Sequence, residues 1–168
     1  LLTYEGRSTR PSVDWIRLPI SGMSSKEAAA YLAWLDRSGR VPGARFCSEH
    51  EWEYAARGAD ARRFAHGNLL APEEANVVQT YGRKPTAIGP DPVESYPQSE
   101  SPFGLFDTAG NVWEMVVSPH QHDVFVARGG SYFHEVWNAA ATNRQQIAAE
   151  FRDTSVGLRA CASLPPAQ

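Results

Sequence analysis

Between Ala59 and Ser101 the chain carries Pro72, Pro85, Pro90, Pro92 and Pro97, with Pro102 just beyond and Gly67, Gly82 and Gly89 interspersed. Proline fixes φ and removes a backbone donor, so no long helix or central strand can run through such a stretch. A loop of this length inside a compact domain normally counts against an assignment, unless the loop is itself organised and functional. The fold must then consist of a few short elements around ordered loop.

The next stretch, Gly104-Leu-Phe-Asp-Thr-Ala-Gly-Asn-Val-Trp-Glu114, is dense in polar and backbone-special residues. Gly110 lets the backbone reverse between Asp107 and Glu114, so both carboxylates and some main-chain carbonyls can converge on one point. Hard cations such as calcium take about six to eight oxygens of this kind. Asp107 and Asn111 can equally cap turns through their own backbone.

Two helices announce themselves by capping boxes, in which a hydroxyl at the N-cap and a carboxylate three residues on exchange hydrogen bonds with the backbone. The first starts at Ser24 with Glu27, repeats Ala28, Tyr31, Leu32 and Leu35 on one face, and stops at Gly39. The second starts at Ser48 with Glu51, shows Trp52, Ala55 and Ala56 on one face, and stops at Gly58. Met23 and Trp34 are expected as core or rim packing. Pro11 to Pro19, with Val13, Trp15 or Ile16, and Leu18 alternating, predicts a half-buried strand. Arg45-Phe46-Cys47 predicts a short extended entry, Asp123 to Ala127 a central strand broken by Gly129-Gly130, and Val156 to Cys161 a further strand. Tyr132 to Arg152 has no clean period of 2 or 3.6 and predicts another ordered loop.

At 168 residues with 42% apolar and 21% charged content, one globular domain is expected over 1–168, with 1–12 and 163–168 as peripheral tails. A net charge of −3 and the lack of a basic stripe interleaved with aromatics argue against a nucleic-acid partner. No apolar run reaches the ~18 residues of a membrane span, and no signal peptide opens the segment, which gives an expectation of cytoplasmic localisation. In that setting Cys47 and Cys161 are expected as two reduced, partly buried thiols, although they can pair if the fold brings them together.

The series Ser48-Glu-His-Glu-Trp-Glu-Tyr-Ala-Ala-Arg-Gly58, Ala75-Asn76, Gly104-Leu-Phe-Asp107 with Gly110-Asn-Val-Trp-Glu114, Arg128-Gly-Gly-Ser131 and Gly157-Leu-Arg159 resembles the formylglycine-generating enzyme (sulfatase-modifying factor) family. The resemblance implies an α+β fold of C-type lectin type, with two helices, a small twisted antiparallel sheet and a high share of irregular loop. It also implies a calcium ion held by the side chains of Asp107 and Glu114 and the carbonyls of Gly110 and Val112. A second calcium would use Asn76 and Val77, but the downstream Asp of that site is replaced here near Pro85.

Copper is not expected. The family's oxidases bind it through two cysteines after the Arg-Gly-Gly-Ser motif, and the matching positions hold His134 and Ala139. Cu(I) selects soft thiolate ligands, which imidazole and carboxylate replace poorly. A replacement metal site built from His120, His122 and His134 is the alternative for an altered enzyme. The reading favoured by the residues is a non-catalytic surface on the 132–152 loop for an unknown protein or small ligand. Tyr132, Phe133, His134, Glu135, Trp137, Asn138, Asn143 and Arg144 are its candidate binding residues, since aromatics and Arg dominate binding energy and binding sites sit on anchored loops. Tyr132 and Trp137 can instead complete the core, and Arg128 and Arg144 can be internal ion-pair partners. The short, cysteine-free loop resembles the variable proteins of diversity-generating retroelements and the domains appended to bacterial signalling proteins, including Ser/Thr kinases.

Overall fold

A computed structural model describes residues 1–121 and 124–163. Helix α1 (Ser25–Arg37) and helix α2 (Glu49–Arg57) both start with the expected reciprocal capping boxes, Ser24 with Glu27 and Ser48 with Glu51. The Glu51 carboxylate also takes the Arg45 guanidinium, which together with the Ser48 hydrogen bonds lowers its pKa to about 2.

The strands are β1 (Leu2–Thr3), β2 (Ser12–Val13), β3 (Ala44–Phe46), β4 (Trp113–Val117), β5 (Phe125–Arg128), β6 (Arg144–Ile147), β7 (Val156–Leu158) and β8 (Ala160–Ala162). A four-stranded sheet runs in the order β6-β5-β4-β7, antiparallel except that β7 lies parallel to β4. Two small ribbons, β1 with β2 and β3 with β8, complete the pairing. Successive side chains of a strand point to opposite faces, and the sheet divides its apolar residues accordingly. Trp113, Met115, Ala127 and Val156 pack with Met23 and Ala28 on the α1 side. Val116 and Val126 pack with Cys47, Trp52 and Ala56 on the α2 side. The result is a sheet between two helices.

The 59–101 stretch is ordered loop with short 3-10 turns at Pro72–Glu74, Pro85–Ala87 and Pro97–Ser99. Its anchor is Asp91, which is fully buried and takes the Arg7 guanidinium at 2.7 Å and the hydroxyls of Tyr81 and Tyr96. Arg7 also donates to the carbonyls of Ala87 and Gly89, so the segment expected as an N-terminal tail is tied into the core.

Three further expectations change, and one falls outside the described residues. The strand expected across Pro11 to Pro19 is only β2 followed by a 3-10 turn, with Trp15 and Ile16 exposed at 66% and 71%, because Asp14 caps that turn through the Ile16 N–H. The expected loop 132–152 contains β6, whose Arg-Gln-Gln-Ile sequence hides the strand by lacking apolar alternation. Cys47 and Cys161 are joined in a disulfide, not free thiols, because antiparallel pairing of β3 with β8 brings their Cα atoms to 4.9 Å. Asp123, expected to open β5, and 164–168 of the expected C-terminal tail lie outside the described residues.

Candidate functional site

Two cavities flank β4. The larger, about 590 Å³, opens on the α1 side of the sheet beyond Met115. Its floor is Trp113, Ala127, Gln145, Ile147 and Val156 from the four central strands, its first wall is the loop carrying Tyr132, Phe133, His134, Asn138 and Asn143, and its second wall is Phe151, Asp153, Thr154 and Ser155. Clefts of about 300–1,000 Å³ lined by apolar groups with a few placed polar atoms are what small ligands or single anchoring side chains occupy.

The loop is held open by its own hydrogen bonds. Gly130, at φ +75°, turns the chain out of β5 where a Cβ would meet the backbone of Ala139 at 2.9 Å. Ser131 and the Trp113 indole both reach His134 Nδ1, at 2.7 Å and 3.2 Å. An indole N–H can only donate, so Nδ1 is the acceptor and the proton of the neutral ring sits on Nε2. Burial pushes the His134 pKa below its ordinary value, against a smaller opposing pull from Asp153. His134 therefore offers a fixed Nε2–H donor. Tyr132 donates to Thr154 across the chamber, and Asn143 spends its amide N–H on the Asn138 carbonyl, leaving its own carbonyl oxygen available.

Of the eight residues expected to bind ligand, the structure brings Tyr132, Phe133, His134, Asn138 and Asn143 into this chamber. Three go elsewhere. Glu135 pairs with Arg83 and Gln79, and Arg144 pairs with Glu49 at 2.5 Å on the opposite face of the sheet. Trp137, 59% exposed, lines a shallow hollow with Leu69 and Leu70. Tyr132 is at once core and chamber wall, being 7% exposed. Arg128 is an internal ion-pair partner of Glu49 and Glu53.

The sequence reading missed Trp113, Ala127, Ile147, Phe151, Asp153, Thr154, Ser155 and Val156 as chamber residues. No local signal marks them, since their convergence depends on the β4–β7 and β5–β6 pairings. Among the described residues no three His, Cys, Asp or Glu side chains gather as a metal site. His120 lies edge-on to His50, His134 lies against Trp113, and His122 is outside the described residues.

The second cavity, about 470 Å³, is lined by Asp107, Val112, Glu114, Leu158 and Arg159 among others. Asp107 and Asn111 both adopt positive φ, at 59° and 63°, and Gly110 at 82° passes so close to Asn76 that a Cβ would meet its carbonyl oxygen at 2.5 Å. Burial raises the Asp107 pKa to about 6, partly offset by the Glu94 N–H and reinforced by the Glu114 charge. Glu114 accepts from Arg159 through both oxygens and from the Trp52 indole at 2.6 Å. Three of its roughly four lone-pair positions are used, so one remains. Asn76 donates to the carbonyls of Gly89 and the Asn111 side chain, and the Val77 carbonyl accepts the Thr80 N–H.

Residues 5–164 match the family described as sulfatase-modifying factor enzyme 1-like domain. The chain is 32% identical over 150 residues to inactive C-alpha-formylglycine-generating enzyme 2 of Mus musculus, covering 83% of this chain and 45% of that protein. It is 36% identical over 165 residues to formylglycine-generating enzyme of Streptomyces coelicolor, covering 81% and 48%. The chain thus spans about half the length of the curated relatives it matches. Among solved structures it superposes on Treponema denticola variable protein 1 with a TM-score of 0.77 at 18% identity, covering 96% of this chain and 77% of that one, which bears on the fold alone.

Proposed function

This chain belongs to the sulfatase-modifying factor enzyme 1-like domain family, and from that premise we propose that it is a non-catalytic binding domain whose chamber takes a small ligand or an anchoring side chain of a partner protein. The observation that carries this reading is the chamber itself. Its walls are held by side-chain hydrogen bonds, polar side chains line it beside aromatic ones, and its rim presents Phe133 at 63% exposure and Phe151 at 41%. The donor set does not fit copper: His134 and Ala139 stand where a thiolate pair is needed, while the two cysteine sulfurs are bonded to each other on the α2 side of the sheet. A relative with an inactive enzyme's name supports the same direction.

Phe133→Ala is expected to weaken binding of the partner about thirtyfold or more, the effect of a hot-spot aromatic of 2 kcal/mol or above. Its effect on stability should stay within about 0.5 kcal/mol, as for surface substitutions. Trp137→Ala should matter only to a partner wide enough to reach the neighbouring hollow, so the pair separates a small ligand from a protein. A drop in melting temperature equal to the loss of binding would mark Phe133 as a packing residue and sink the reading.

Calcium at the second cavity is the companion proposal. Asp107 and the remaining lone pair of Glu114 supply anionic oxygen, and neither the Gly110 nor the Val112 carbonyl accepts a hydrogen bond outside the strands among the described residues. The residues present fit one hard cation, which would neutralise the charge left after Arg159 has paired with Glu114. We do not extend the proposal to a second ion at Asn76 and Val77, whose main-chain carbonyls accept from the Asn111 and Thr80 N–H groups while Arg7 brings positive charge to the neighbouring Ala87 and Gly89 carbonyls. Calcium at a hundred times its Kd is expected to add about 2.7 kcal/mol of stability, which chelator removes. Identical melting curves in calcium and in chelator would discard the ion.

A further inference from the structure

The chamber carries one carboxylate, at its solvent-exposed rim. No lysine or arginine lines it, and Asp153 is its single charged side chain among the described residues. The guanidinium groups on the surrounding elements are committed elsewhere: Arg152 to Glu27, Arg144 to Glu49 and Arg83 to Glu135. Asp153 is also oriented. Its Oδ1 takes both the N–H and the hydroxyl of Ser155, at 2.7 Å and 2.6 Å, and its backbone carbonyl takes the N–H groups of Gly22 and Val156. Oδ2 has no hydrogen-bond partner among the described residues.

The rings of Trp113, Tyr132, Phe133 and Phe151 line the same chamber. Aromatic faces attract organic cations through the ring quadrupole, and a carboxylate with a free oxygen accepts charge-assisted hydrogen bonds from ammonium or guanidinium. At the other wall His134 presents an N–H donor and no acceptor. We propose that the chamber selects an organic cation, a guanidinium or alkylammonium on a short apolar stem, with its positive end on Asp153 and an acceptor oxygen on His134 Nε2–H. This deepens the binding reading above and rests on it. The cation can belong to a free amine or to an arginine or lysine side chain of a polypeptide, and the same contacts serve both.

The test titrates the full chain with N-acetylarginine amide, its uncharged isostere N-acetylcitrulline amide, N-acetylglutamate amide and agmatine, following the Trp113 indole signal by NMR. The arginine derivative is expected to bind at least fivefold tighter than the citrulline derivative, and the glutamate derivative more weakly than either. Asp153→Asn keeps the Oδ1 acceptor for Ser155 and should bring the arginine-to-citrulline ratio to about one at an unchanged melting temperature. Agmatine binding as tightly as N-acetylarginine amide identifies a free amine as the source, and weaker binding identifies the peptide-borne group; both uphold the cation. Citrulline or glutamate derivatives binding as tightly as arginine while shifting Trp113 overturn the cation and leave the chamber as a binding site. No shift at Trp113 with any probe overturns both.

Discussion

Asp91→Ala is expected to lower the free energy of unfolding by about 3–5 kcal/mol, the cost of removing one partner from a buried ion pair. The Arg7 and Asp91 side chains are both fully buried, 2.7 Å apart. Alanine would strand the guanidinium together with the Tyr81 and Tyr96 hydroxyls that now donate to the carboxylate. The loss is not confined to the pair. Arg7 grips the Ala87 and Gly89 carbonyls, and the Asp91 N–H and carbonyl are clasped by the Asn111 side chain, so the same network fixes the Pro-rich loop to the turn before β4. Denaturant unfolding should show a lower midpoint with little change in m. The double replacement Arg7→Met with Asp91→Leu should recover part of the loss, because apolar pairs often replace buried ion pairs without penalty. A single-variant loss under about 1 kcal/mol would show that water reaches the pair.

Reduction of the Cys47–Cys161 disulfide is the second large effect expected. The bond closes a loop with a sequence separation of 114, and loop-closure entropy for a ring of about 100 residues comes to ~4.7 kcal/mol, with native disulfides measured at about 2–5. For a domain of this size that corresponds to a fall in melting temperature on the order of 10 °C. The bond also holds β8 against β3, next to Arg159 and its Glu114 partner, so the loss should extend to the loop proposed to carry calcium. Thermal unfolding with and without reductant measures it, with the Cys47→Ala, Cys161→Ala double variant as the reductant-insensitive control. Equal melting temperatures for all three would remove the claim. Disulfides persist in oxidising compartments, so the bonded fraction in freshly lysed cells also tests the expected cytoplasmic localisation.

What the sequence made legible was local. Both capping boxes operate within four residues of chain, so Ser24, Glu27, Ser48 and Glu51 could be read without knowing the fold. The turn at Asp107 to Glu114 was legible from Gly110 and its polar neighbours, and the family resemblance added the architecture. What stayed hidden was long-range. Arg7 meets Asp91 across 84 positions and Arg144 meets Glu49 across 95, and no local pattern announces such partners. The same holds for the disulfide, whose sulfurs meet only because β3 and β8 pair in one register. In the chamber, Tyr132, Phe133 and His134 were legible as an aromatic cluster after a double glycine. Asp153 was not, because an Asp before Thr-Ser reads as an ordinary turn until the opposite wall is in place.

The covalent tie between Cys47 and Cys161 has a topological corollary. Everything between them, including the 59–101 loop and both walls of the chamber, lies within one closed ring of covalent bonds. A protease that nicks any exposed bend inside that ring produces two polypeptides that cannot drift apart, and the severed bend has its ends still positioned by the sheet. The proposed binding face can therefore be cut once with its two walls still covalently tied.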